Sequence, residues 1–178
     1  MGGGDRIRLF CALQLPDDAR AELAEWAAAR LHGDRLVRAD DLHVTLAFLG
    51  HRPASEVPRL LSELRAASAD AAPAELRPLR YRETRSVGMI VYEDVGGSAT
   101  ALAADLQARL ERLGVYRREV RPWLPHVTVQ RFRRPAGDRP ETANMRSIHV
   151  VRSALYRSQL GRCGARYDAV ETAALGRR

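Results

Sequence analysis

At 178 residues the chain is long enough for one domain to bury roughly 70% of its unfolded surface, so folding requires neither a disulfide framework nor a structural metal. Hydrophobic residues make up 46% and charged residues 29%, which excludes a disordered polymer, and no run approaches the ~20 apolar residues of a membrane span; cytoplasmic residence is the default. The net charge is +7 and every cation is an arginine. Codon bias in an alanine-rich sequence is the simpler reason for the missing lysines, but the positive balance itself favours an anionic partner such as RNA or a phosphate ester.

Residues 6–15 alternate and are rich in apolar side chains, as a strand is, and Pro16-Asp17-Asp18 then opens an Ala/Glu/Leu/Arg-rich helix to about residue 31. Cys11 falls inside that apolar run, where a buried, inert thiol is expected. Neither it nor Cys163, the second of the two cysteines, belongs to a Cys-x-x-Cys pair or a Cys/His cluster of zinc spacing. A strand over 42–48 precedes a helix over 55–69, a turn at 71–73 and strands over 76–84 and 86–94. Ser98 is placed to cap a helix over 99–113. A second strand begins at His126, residues 133–140 form a polar Gly/Pro loop, and two last strands, 148–156 and 167–174, join across Gly161 and Gly164.

Sliding the chain along itself exposes a repeat. His43 and His126 are 126 − 43 = 83 residues apart, and at that offset Val37-Arg38-x-x-x-x-His43-Val44-Thr45 reads again as Val120-Arg121-x-x-x-x-His126-Val127-Thr128, with five of nine positions identical. Each half runs strand, helix, His-x-Thr strand. The expected fold is therefore α+β: a single domain over residues 1–178 of two pseudo-symmetric lobes, each an antiparallel sheet with helices packed outside, and a central cleft between the sheets.

Residues two apart on a strand share a face, so His43 lies beside Thr45 while Val44, Leu46 and Phe48 take the core side. His126 and Thr128 divide from Val127 and Val129 in the same way. Strict alternation turns Gln130 toward the histidines and Arg131 away, unless a strand end or a bulge after Val129 resolves the conflict. Two facing imidazoles suit in-line displacement at a cyclic phosphate, because one ring can take a proton on one side of phosphorus while the other gives one up opposite. The threonine hydroxyls are placed to donate to the non-bridging oxygens. Such a strained ester does not demand a metal, and no metal or other cofactor is expected. His32, His51 and His149 have no repeat partners and read as surface or packing residues.

These motifs resemble the 2H phosphoesterase superfamily, and within it the RNA 2′,3′-cyclic phosphodiesterases also called 2′-5′ RNA ligases. The likeness runs from Arg8-Leu9-Phe10 through His43-Val44-Thr45-Leu46-Ala47-Phe48-Leu49-Gly50 and Pro125-His126-Val127-Thr128-Val129-Gln130-Arg131 to Leu155-Tyr156-Arg157-Ser158, Gly164 and Tyr167. It implies hydrolysis of a terminal 2′,3′-cyclic phosphate to a 2′-phosphomonoester, with His43 as proton donor and His126 as proton acceptor. It also implies a phosphate contact from Arg131, and Phe10 and Tyr156 are candidates to stack on a base. RNA ends or nucleotides carrying the cyclic phosphate are the expected partners of a monomer. Two alternatives stand beside this: a 2′-5′ linkage phosphodiesterase or ligase, and an RNA-end-binding protein without catalysis.

Overall fold

A computed structural model describes residues 5–32, 35–161 and 164–176. Strand β1 (Arg6–Gln14) leads into helix α1 (Asp17–Arg30), the short β2 (Arg35–Leu36), a 3-10 turn (Ala39–Asp41) and β3 (His43–Pro53). A second 3-10 turn (Ala54–Glu56) opens α2 (Val57–Asp70), which is followed by β4 (Ala74–Glu83), β5 (Val87–Val95), α3 (Ser98–Arg112) and β6 (His126–Arg131). The chain ends with β7 (Ile148–Val150), β8 (Arg152–Gly161) and β9 (Gly164–Ala174). Cys163 lies outside the described residues, whereas Cys11 is wholly buried and burial pushes its thiol up to about 12.

The strands pair in the order β7-β4-β5-β6-β3-β1-β8-β9, every described pairing being antiparallel, with β2 added beside β6. The two histidine strands occupy the middle. They share one paired position, Val44 with Val127, beyond which the end of β6 pairs instead with β2. The single strand expected over 148–156 is two strands: β7 pairs with β4 and β8 with β1, so they serve opposite ends of the order. Only Val151 separates them. One residue spans at most ~3.6 Å, so the sheet must curl until β7 and β8 lie next to each other.

The helices cover the outer face. Leu9, Cys11 and Leu13 of β1, Val44 and Leu46 of β3 and Val127 and Val129 of β6 join Leu60 and Leu64 of α2 and Leu102, Leu106 and Leu110 of α3 in the main core. The opposite face of β1 is buried too. Phe10 and Ala12 form a second cluster with Ala154 and Tyr156 of β8, and Tyr167 of β9 packs against it.

Two expectations about local structure change. Ser98 begins α3 without capping it; Asp94, at the end of β5, accepts the Ala99 N–H at 3.2 Å and the Thr100 N–H at 2.7 Å. A carboxylate at that end also meets the positive pole of the helix, which a serine hydroxyl does not. The Val-Arg arm of the repeat carries no matching structure: the Val37 N–H donates to the Val129 carbonyl at 2.9 Å, whereas Val120 is fully exposed. Asp94→Ala should lower stability by about 1 kcal/mol in urea denaturation, and Ser98→Ala should leave it nearly unchanged.

Candidate active site

Both His-x-Thr segments stand at the first residues of their strands, on either side of the one position where β3 and β6 pair. Antiparallel register through Val44 and Val127 sets His43 opposite Thr128 and Thr45 opposite His126. All four side chains are half-buried. The two imidazoles are held in one manner: Nδ1–H of His43 donates to the Asp41 carbonyl at 2.7 Å, and Nδ1–H of His126 donates to the Leu124 carbonyl at 2.8 Å. A carbonyl only accepts, so Nδ1 carries the proton in each ring and Nε2 is left to exchange one.

The rings have different surroundings. His43 sits in an aromatic box, its centroid 4.8 Å from Phe10, 5.2 Å from Tyr167 and 6.0 Å from Tyr156. Burial there lowers its pKa to about 4, and the charges of Arg131 and His126 push the same way against the opposing Asp41 hydrogen bond. The Asp41 carboxylate accepts the Tyr167 N–H at 3.3 Å, tying the turn that holds His43 to β9. His126 instead borders an open cavity of about 670 Å³, with Thr45, Phe48, Arg82, Thr84 and Trp123 among its walls. The Trp123 indole N–H donates to the Thr45 carbonyl at 2.9 Å, fastening the approach to the second motif onto the first strand.

Bulges decide which side chains reach this face. In β3, Leu46 has no partner in β1, since Cys11 pairs with Ala47 and Ala12 with Thr45. In β6, Val129 has no partner in β5, since Gly88 pairs with Gln130 and Met89 with Thr128. The two bulges are 129 − 46 = 83 residues apart, the offset of the histidines. Each bulge carbonyl is satisfied, by the Gln107 amide at 2.8 Å for Leu46 and by the Val37 N–H at 2.9 Å for Val129.

The alternation expected along each strand is reversed beyond these points. Phe48 is not a core residue but is 49% exposed at the cavity wall. Gln130 is wholly buried, away from the histidines, where its amide donates to the Tyr81 hydroxyl and, at 3.4 Å, to Asp138. It fits because its partner Gly88 has no side chain; a Cβ there would strike the Tyr81 hydroxyl. Arg131 is exposed and near enough for its charge to act on His43.

Phe10 and Tyr156 are less open than a base-stacking role needs. Phe10 is 3% exposed, with Tyr156 stacked on it at 5.1 Å and Tyr167 edge-on at 5.0 Å. Both rings shape the surroundings of His43 instead. His51 and His149 are exposed, and the His32 ring meets Asp138 at 3.0 Å. Among the described residues no three His, Cys, Asp or Glu side chains are placed to hold a metal ion, and no helix is long and apolar enough to cross a membrane.

Residues 15–152 match the sequence model of the 2′-5′ RNA ligase superfamily. The chain belongs to that superfamily, a 2H phosphoesterase group. Among 2H relatives, an RNA 2′,3′-cyclic phosphodiesterase of Thermus thermophilus is 31% identical over 93% of this chain and 88% of its own. A protein of the same name from Escherichia coli is 32% identical over 94% of this chain and 96% of its own. The crystal structure of E. coli LigT complexed with 3′-AMP superposes with a TM-score of 0.84 at 26% identity, covering 97% of this chain and 100% of that one. The α+β architecture, a curled antiparallel sheet with helices outside, is the 2H fold.

In an anion-free sample, the His43 ring should titrate near pH 4 by ¹H–¹⁵N NMR and move upward when phosphate is added, since an anion favours the imidazolium. A midpoint near 6.5 in both samples would contradict the burial described for this ring.

Proposed function

We propose that this 2H phosphoesterase hydrolyses the 2′,3′-cyclic phosphate at an RNA end to a 2′-phosphomonoester, with His43 as proton donor and His126 as proton acceptor. The observation that carries the reading is the mirrored placement of the two imidazoles, each anchored through Nδ1 to the carbonyl two residues back and each beside a threonine. Two relatives named for this activity match more than nine-tenths of the chain.

In the reaction, water attacks phosphorus on the His126 side and passes a proton to Nε2 of that ring. The bond from phosphorus to O3′ breaks on the far side, and O3′ takes the Nε2 proton of His43. One water is consumed, and exchange with solvent resets both rings. Thr45 and Thr128 donate to the non-bridging oxygens, and Arg131 balances their charge as it grows in the transition state. His43 is neutral near pH 7 in the free protein, so it needs a proton before it can act. The substrate's own negative charge beside the ring favours that uptake, which couples loading of the donor to binding.

The working unit in this reading is a single two-lobed domain, its partners RNA ends or nucleotides, with no metal taking part. The superfamily's name favours a second reading, formation or cleavage of a 2′-5′ linkage. It needs the same groups, with a 5′-hydroxyl in place of water. An RNA-end-binding protein without catalysis would bind these compounds and return them unchanged.

With EDTA present, the purified protein should convert a nucleoside 2′,3′-cyclic phosphate to the 2′-phosphate. His43→Ala and His126→Ala should each lower kcat by about 10²- to 10⁴-fold with unaltered circular dichroism. Full turnover by both variants would remove the assignment, and product analysis with a 5′-hydroxyl acceptor separates hydrolysis from ligation.

A further inference from the structure

A proton donor has to be aimed as well as loaded, because Nε2 of His43 can reach O3′ from only one orientation of the ring. That orientation is set by the Nδ1–H bond to the Asp41 carbonyl at 2.7 Å. We infer that Asp41 is a positioning residue: its side-chain carboxyl group, by holding the Tyr167 N–H, keeps its own backbone carbonyl and therefore the His43 imidazole in line with the leaving oxygen. The inference rests on the cyclic-phosphate reading and extends it to a residue that touches no reacting atom.

Three contacts form a closed circuit around the donor. His43 donates to the Asp41 carbonyl, the Asp41 carboxylate accepts the Tyr167 N–H at 3.3 Å, and the Tyr167 ring stands edge-on to His43 with centroids 5.2 Å apart and planes at 88°. One residue of β9 thus grips the imidazole twice, directly through its ring and indirectly through Asp41. The aromatic contact limits the tilt of the imidazole, and the carbonyl limits its rotation. Asp41 is only 9% exposed, and burial raises its pKa, with the Tyr167 hydrogen bond and the Arg38 charge opposing. Enclosing a carboxylate is costly, so a turn that needed only to fold would do as well with a less polar side chain.

The other half shows what a turn without such a group requires. Leu124, whose carbonyl holds His126, stands 124 − 41 = 83 residues further on, and its side chain can accept no hydrogen bond. Its neighbours on both sides are tied down instead: the Trp123 indole N–H donates to the Thr45 carbonyl at 2.9 Å, and the Pro125 carbonyl accepts the Tyr92 N–H at 2.9 Å. The turn before His43 has fewer such ties among the described residues. Its own N–H groups at Asp41 and Leu42 bond back to Arg38 and Ala39, and Arg20 reaches the Asp40 carbonyl only at 3.5 Å. Leu42 is 3% exposed in the main core and keeps the turn packed whatever stands at 41. What the carboxyl group adds is the aim of the carbonyl.

The test uses adenosine 2′,3′-cyclic phosphate with Asp41→Leu, which keeps the shape but offers no acceptor, and Asp41→Asn, which keeps an oxygen for the Tyr167 N–H; Asp41→Ala replaces the leucine variant if that one lacks native circular dichroism. Asp41→Leu should lower kcat roughly 10- to 100-fold with KM nearly unchanged, and Asp41→Asn should restore most of it. On a His43→Ala background Asp41→Leu should cost nothing further, since a residue that acts through the ring has no effect once the ring is gone. Unchanged kcat in Asp41→Leu, a loss that asparagine does not restore, or an equal loss without His43 would each overturn the inference. If wild type opened no cyclic phosphate, the reaction reading would fail, and ¹H–¹⁵N correlations of the neutral His43 ring would decide the positioning separately. An Nδ1–H tautomer kept in wild type and Asp41→Asn but mixed with Nε2–H in Asp41→Leu supports it; the same tautomer in all three refutes it.

Discussion

The site depends on one narrow contact, the pairing of Val44 with Val127 in the middle of the sheet. Each valine is wholly buried in the core beneath the helices, so the strands are fixed from below. Alternation then leaves a histidine and a threonine on either side of each valine, facing the other way. The same packing that stabilises the fold sets the spacing of the two histidines and two threonines. Because β3 and β6 separate beyond this pair, the groups stand where the strands part and a ligand can reach them.

The two bulges add what a regular ladder could not. A strand presents every second residue to a face, which would send Phe48 and Arg131 into the core, where a guanidinium without a partner is costly. The extra residue at Leu46 in β3 and at Val129 in β6 reverses that. The carbonyl exposed at each bulge has its own donor, Gln107 in one half and Val37 in the other. One donor is a helix side chain and the other a backbone amide, so the halves reach the same geometry by different means.

Much of this was legible in the residues. The repeat at an offset of 83 located both imidazoles and both hydroxyls, because a period-two pattern around a short apolar strand is a local property. What escaped depended on partners distant in the chain. The bulge at Leu46 exists only against β1, so nothing between His43 and Gly50 announces it. A clue was nonetheless present. Phe48 and Arg131 occupy equivalent positions, and the parity conflict at Arg131 applied equally to Phe48. The break at Val151 was hidden for a similar reason, since an apolar run reads as one strand until its two parts find different neighbours. The aromatic box around His43 gathers residues from β1, β8 and β9, which no local window could assemble.

The solitary residue between β7 and β8 bears on how the enzyme can move. Val151 links β7, at one end of the ladder order, to β8, the last strand but one at the other, and its carbonyl accepts the Leu175 N–H at 2.9 Å. The halves are joined there and again where Val44 pairs with Val127, so any motion of one against the other has to turn on those two short joints. Selection among ligands falls to what lines the cleft between them.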